Sequence, residues 1–164
     1  MMATPHMVVG AAIGHALARP WLAYPAAFPS HFQPDLVPHL DSHALFGVEH
    51  GGPTHLEAAA GGTDSLIGAV AVGLVAARQP PRRVMVGGAL FGILMDLAGY
   101  IPPSGTWFQN WAGTAWLTGF HHRIQHSPAP AHWPVGAGTQ AATVAVALAI
   151  CPLQRPRTEV AADR

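Results

Sequence analysis

The chain of 164 residues is long enough for one domain, and half of it is hydrophobic while only 10% is charged, well under the roughly one quarter usual in soluble domains. All eight basic residues are arginines spread along a chain of zero net charge, which excludes a concentrated nucleic-acid-binding face. The single cysteine, Cys151, excludes an intrachain disulfide and a thiolate metal site, so any metal must be held by histidine and carboxylate. These bounds point to an all-α fold, a small polytopic helical membrane protein. Residues 1–153 would form a single helical membrane domain and 154–164 a polar, arginine-containing tail. Mean hydropathy is only +0.27, because proline, glycine and histidine dilute the apolar runs. The competing reading is a soluble bundle of short buried helices.

Met1 to Met7 lacks a basic n-region, and no small-residue cleavage pattern follows, so the first apolar segment, Met7 to Ala18, is expected to be retained. Trp21 to Leu40 comes next, interrupted by prolines and expected to be a broken or re-entrant helix. Asp41 to Thr63, rich in His, Gly and Glu, reads as a polar loop without helical register. Ser65 to Ala77 and Val84 to Ile101 flank the turn-forming RQPPRR of Arg78 to Arg83 and predict a helical hairpin. Pro102 to Pro134 carries Trp107, Trp111, Trp116 and Trp133, a pattern that suits a headgroup-level connection and equally suits core packing. Gly136 to Leu153 closes the set, giving about four to five membrane-associated helices. A spanning helix needs about 20 apolar residues, so the shorter segments would thin the bilayer or enter it partway.

If five segments alternate across a bilayer, Arg19, Arg78, Arg82, Arg83, Arg155, Arg157 and Arg164 share one side and only Arg123 stands opposite. The positive-inside rule makes that side cytoplasmic. A multi-pass protein of the inner membrane is then expected, with every histidine except His15, and the acids Asp35, Asp41, Glu49, Glu57, Asp64 and Asp96, on or near the extracytoplasmic half.

The chemistry sits in three places. In SHFQPDLVPHLD, residues 30–41, His31, Asp35 and His39 are spaced four apart, so a helix would align them on one face, with Asp41 just beyond. Asp96 is a lone acid in the most hydrophobic segment, and a carboxylate there needs a cation, a metal or a proton. In FHHRIQHS, residues 120–127, His122 and His126 stand one helical turn apart, with His121 as a spare. Arg123 follows where the zinc-protease signature has glutamate, so this is not that motif. With His6, these groups converge on one face under the alternating topology. Nitrogen and carboxylate ligands without cysteine suit a divalent metal, Zn first and then Mn or Fe.

The opening TPHMVVGAAIGH, the SHFQPDLVPHLD block, a later apolar helix with one aspartate and a terminal HxxxH resemble the small inner-membrane-associated metal-dependent hydrolases described as LexA-binding. The resemblance spans roughly residues 4 to 127, and its most specific part is His31, Asp35, Pro38, His39 and Asp41. His6, Asp96 and His126 are weaker matches. The chain departs from the pattern at Met95, where relatives carry proline, and in HRIQHS, where larger members read HRxxTHS. The resemblance implies a helical membrane protein, a metal site and hydrolysis.

On these grounds His6, His31, Asp35, His39, Asp96, His122 and His126 are the expected metal ligands, with Asp35 or Asp41 as catalytic carboxylate and Asp41 the favoured base. The expected partners are membrane lipid and a small-molecule or lipid ester or phosphoester, without direct nucleic-acid contact. Two other functions stay open: a noncatalytic metal-binding or transport protein, and a structural membrane protein that recruits a partner.

Overall fold

The structure is a computed structural model that describes residues 1–42, 45, 55–100, 110–125 and 132–151, the side chains of 99 and 100 excepted. The described residues are all-α. Helix α1 (Ala3–Leu17) is followed by α2 (Pro20–Ser30) and the single turn α3 (Phe32–Asp35). Then come α4 (His55–Arg78), α5 (Arg82–Gly92), α6 (Leu94–Tyr100), α7 (Ala115–Ile124) and α8 (Trp133–Ile150). The RQPPRR segment forms the expected turn, since α4 ends at Arg78 and proline cannot continue it. Two segments differ from the sequence reading. Val84 to Ile101 is broken at Ile93 into α5 and α6. The supposed loop is helical from His55 onward, because α4 begins ten residues earlier than its apolar run. The Trp-rich connection, read as a helix or loop, contains the helix α7.

Helix α1 is the axis of the fold, packed against α2, α4, α5 and α8. Its closest neighbour is α5, and the reason is glycine. Gly10 and Gly14 on α1 face Gly88 and the Val84–Met85 backbone on α5, and a Cβ at Gly10 would collide with the carbonyl oxygen of Gly88. Gly92 likewise lies against the carbonyl of His6. Both helices thus carry glycine at four-residue spacing, the pattern that lets two backbones approach and exchange dispersion contacts where lipid offers little hydrophobic drive. Around this seam Met7, Val8, Ala11 and Ala12 pack with Val72 and Ala76 of α4, Met85 and Ala89 of α5, and Ala147 and Cys151 at the far end of α8.

The same contacts fix direction. Gly14 meets Val84 and His6 meets Gly92, so α1 and α5 are antiparallel. Thr4 binds Asp64 and Met7 meets Gly68, so α1 and α4 run parallel. One end of the bundle therefore holds His6, Asp64 and Gly92, and the other holds the α1 C-terminus and the Arg78–Arg83 turn. At the first end Asp64 accepts a 2.7 Å hydrogen bond from the Thr4 N–H, placing a carboxylate on the positive terminus of α1. At the second, Ala18 ends α1 in the left-handed region with φ 54°, its N–H donating to the Gly14 carbonyl.

Two helices, His55–Arg78 and Trp133–Ile150, are long and apolar enough to cross a membrane, and each has only 11% of its apolar window buried. Leu66, Ile67, Val70 and Leu74 on α4 and Val135, Val146 and Ile150 on α8 are exposed. Both helices thus carry long apolar faces that lie outside the bundle's core.

Candidate metal centre

The site is built at the His6 end by side chains from α1, α3 and its flanks, α6 and α7. His31 caps α2 and Asp35 ends α3, four residues and one turn later, so both project to the same side. His39 is not on that helix. The helix ends at Asp35, and His39 comes from the non-helical segment after Val37, where Pro38 cannot donate a backbone hydrogen bond to continue a helix. Helix α8 holds that segment in place: Thr139 Oγ1 donates to the Pro38 carbonyl, Gln140 donates to the Leu40 carbonyl, and Gly136 admits the His39–Leu40 backbone where a Cβ would clash.

Asp35 is the centre. Its carboxylate is fully buried, and its two oxygens face different neighbours. Oδ2 lies 3.0 Å from His121 Nε2 and 3.5 Å from His31 Nε2, and those two nitrogens are 3.1 Å apart. Oδ1 lies 3.3 Å from His6 Nε2 and 3.9 Å from His39 Nε2, and it pairs with the amino group of Met1. Asp96 Oδ1 stands 3.7 Å from His31 Nε2 and is the more open carboxylate, with 22% of its side chain exposed.

A proton count shows what this arrangement lacks. His31 Nδ1–H donates to the Gly92 carbonyl at 2.8 Å and His39 Nδ1–H donates to the Val37 carbonyl at 2.8 Å, so each neutral ring turns a bare Nε2 lone pair into the cluster. The His39 Nε2 and both ring nitrogens of His6 are buried without a hydrogen-bond partner. His121 Nε2 lies within reach of Asp35, of His31 and, at 3.2 Å, of the Gln125 amide, and one ring nitrogen cannot satisfy all three. Burying such polar atoms unpaired costs roughly 1–3 kcal/mol each. The Met1 ammonium meets Asp35 Oδ1, and a cation among the ring nitrogens would satisfy their bare lone pairs.

The geometry agrees. Ligands held about 2.0–2.1 Å from a tetrahedral metal sit about 3.3–3.4 Å from one another. His31 Nε2, His121 Nε2 and Asp35 Oδ2 form a triangle with sides of 3.0, 3.1 and 3.5 Å, which is one face of such a tetrahedron. His6, His31 and Asp96 form a second converging group that shares His31. The carbonyl partners of His31 and His39 are the outer contacts that fix a metal-binding imidazole in its tautomer.

Of the residues named from sequence, His6, His31, Asp35, His39 and Asp96 are brought together here, whereas Asp41 is half-buried and belongs to neither converging group. The structure presents His121 to the cluster rather than His122, which is exposed. The reason is helical phase: α7 docks on Phe32 through Phe120 and His121, with ring centroids 5.5 and 5.8 Å away, and His122 lies about 100° further round. His126 falls outside the described residues. No family model, curated protein or solved structure matches the chain, so the functional reading rests on this geometry.

Proposed function

We propose that the chain is a multi-pass membrane protein that binds a divalent cation through His31, His121 and Asp35 and hydrolyses an ester or phosphoester at the membrane surface, in line with its resemblance to the inner-membrane-associated hydrolases. The triangle of Nε2, Nε2 and Oδ2 atoms carries this reading, because three buried donors at ligand spacing leave a fourth direction for water or substrate. Zn, Mn or Fe would suit these donors and would activate a water and polarise the substrate oxygen.

The chain's own residues supply the rest. Asp35 gives charge neutralisation and orientation from full burial. Gly92 and Val37 keep the His31 and His39 lone pairs turned inward. Asp96, beside His31 and the more exposed of the two cluster carboxylates, would accept a proton, and half-buried Asp41 is the second candidate base. Exposed Trp116 and Trp133, near the same end, suit the headgroup level. The arginine end would then face the cytoplasm and the site the opposite side. The complete burial of Asp35 and His31 also favours a second reading, a cation held without turnover.

Purified protein in detergent, stripped with chelator and reloaded with Zn or Mn, should hydrolyse a generic phosphodiester or ester chromogen. Asp96→Asn should lower the rate by about 100-fold or more, as loss of a general base does, while the ion on His31, His121 and Asp35 is retained; loss of that ion as well would make Asp96 a ligand instead. Metal bound without turnover on any such substrate would select the noncatalytic reading, and failure to bind metal would discard both.

A further inference from the structure

The end of the bundle opposite the His/Asp cluster carries cations that the cluster does not use. Arg19, Arg78, Arg82 and Arg83 are all exposed there. Every ion pair among the described residues lies at the His6 end, so no carboxylate of that set neutralises any of the four. An open depression of about 620 Å³ is lined by the Arg78–Arg83 turn. Exposed aliphatic side chains lead up to it along both helices of the hairpin. Leu66, Val70 and Leu74 step along α4 four residues at a time to Arg78, and Arg82 is followed at the same step by Val86 and Leu90 on α5. Each helix thus ends an exposed apolar stripe on a guanidinium group. Trp21, 67% exposed, stands at the same end with the Arg19 guanidinium 5.9 Å from its ring centre, an amphipathic ring of the kind that sits at a bilayer interface.

We propose that this end binds an anionic phospholipid, with the headgroup phosphate on Arg78, Arg82 and Arg83 and the acyl chains along the Leu66–Leu74 and Val86–Leu90 stripes. The proposal rests on the membrane reading above and is independent of the metal. Guanidinium groups match phosphate oxygens with paired N–H donors, and their charge is permanent. Free phosphate would use the arginines and leave the stripes uncovered, whereas a lipid satisfies both at once. A zwitterionic headgroup brings its own cation to the patch. An anionic one brings net negative charge to four positive charges, each of which adds to the attraction. The hairpin that presents them is braced by α2, since the Tyr24 hydroxyl reaches the Arg83 carbonyl at 3.4 Å and its ring stacks on Phe91.

Full chain in neutral detergent is titrated with phosphatidylglycerol or with phosphatidylcholine of the same acyl chains, and lipid retained per chain is counted by native mass spectrometry. Phosphatidylglycerol should bind at least about 10-fold more tightly, below the roughly 100-fold that three arginines acting independently would give. Combining Arg78→Gln, Arg82→Gln and Arg83→Gln should bring the two lipids within about 2-fold of each other, with helicity by circular dichroism as the folding control and metal content unchanged. If that variant loses helicity, Arg82→Gln alone takes its place and should cut the preference by about 5-fold. Equal binding of the two lipids by the unaltered chain overturns the proposal, as does a preference that the substitutions leave intact. Displacement of the lipid by an equal concentration of inorganic phosphate also overturns it, because the stripes would then contribute nothing. A chain that stays monodisperse without detergent and retains neither lipid overturns the membrane reading with it.

Discussion

The two ends of the bundle use the same helices for opposite purposes. At the His6 end, four imidazoles and two carboxylates crowd together, with bare lone pairs outnumbering the protons that could satisfy them. At the Arg78–Arg83 end, the arginines are exposed around one turn, and the helices beneath meet through glycine, alanine and Met85 in close contact. One end gathers ionisable groups that a bound cation would satisfy, and the other is closed mainly by the packing of small residues. Polar groups converge where function is, and small residues converge where the helices must touch.

If the glycine seam carries the packing, disturbing it should have the largest effect of any single substitution away from the site. Gly10→Leu forces a side chain into the Gly88 backbone, which cannot yield as a flexible side chain would. Overpacking of this kind costs up to about 3 kcal/mol, occasionally more, and here α1 and α5 would separate. The expected outcome is loss of folded, detergent-stable protein, measured as recovery of the monodisperse peak, with metal binding lost as a consequence because α1 carries His6 and α5 carries the Gly92 acceptor. A normally folded variant would show that the seam is not the axis of the fold.

Much of this was legible from residue spacing. The four-residue step from His31 to Asp35 and the lone Asp96 in an apolar segment each named a group that the fold brings to one place. Three things were not read. His39 was expected on the same helix as Asp35, but α3 ends at Asp35, and spacing alone does not tell Pro38 from Pro25, Pro29 and Pro34, which the helices accommodate. The repeats Gly10–Gly14 and Gly88–Gly92 stand openly in the sequence, yet four-residue glycine spacing becomes informative only when two such runs are known to face each other. The choice between His121 and His122 depends on which face of α7 meets Phe32, a tertiary contact that periodicity within a short, Trp-rich connection cannot disclose.

A smaller effect sharpens the contrast from the other side. Ala18 closes α1 with a positive φ that glycine adopts without penalty. Ala18→Gly, at the arginine end, should therefore raise stability by about 0.5–1 kcal/mol, the unfolded-chain entropy of glycine offsetting part of the gain. Thermal unfolding in detergent checks it. Metal content should be unchanged, because Ala18 lies at the opposite end of α1 from His6.

The central claim is that the groups around Asp35 form a metal centre whose membership is set by the fold. Neighbouring histidines on α7 test it directly, since His121 is buried within the cluster and His122 is exposed beside it. His121→Ala and His122→Ala are compared with the unaltered chain for zinc affinity and for the rise in unfolding temperature on adding zinc. Loss of His121 should weaken binding by 100-fold or more, on the order of what removing an inner ligand costs when even outer partners are worth about 10–100-fold, whereas loss of His122 should leave both readouts within error. Equal loss in the two variants, or loss confined to His122→Ala, would contradict the assignment of the centre to His31, Asp35 and His121.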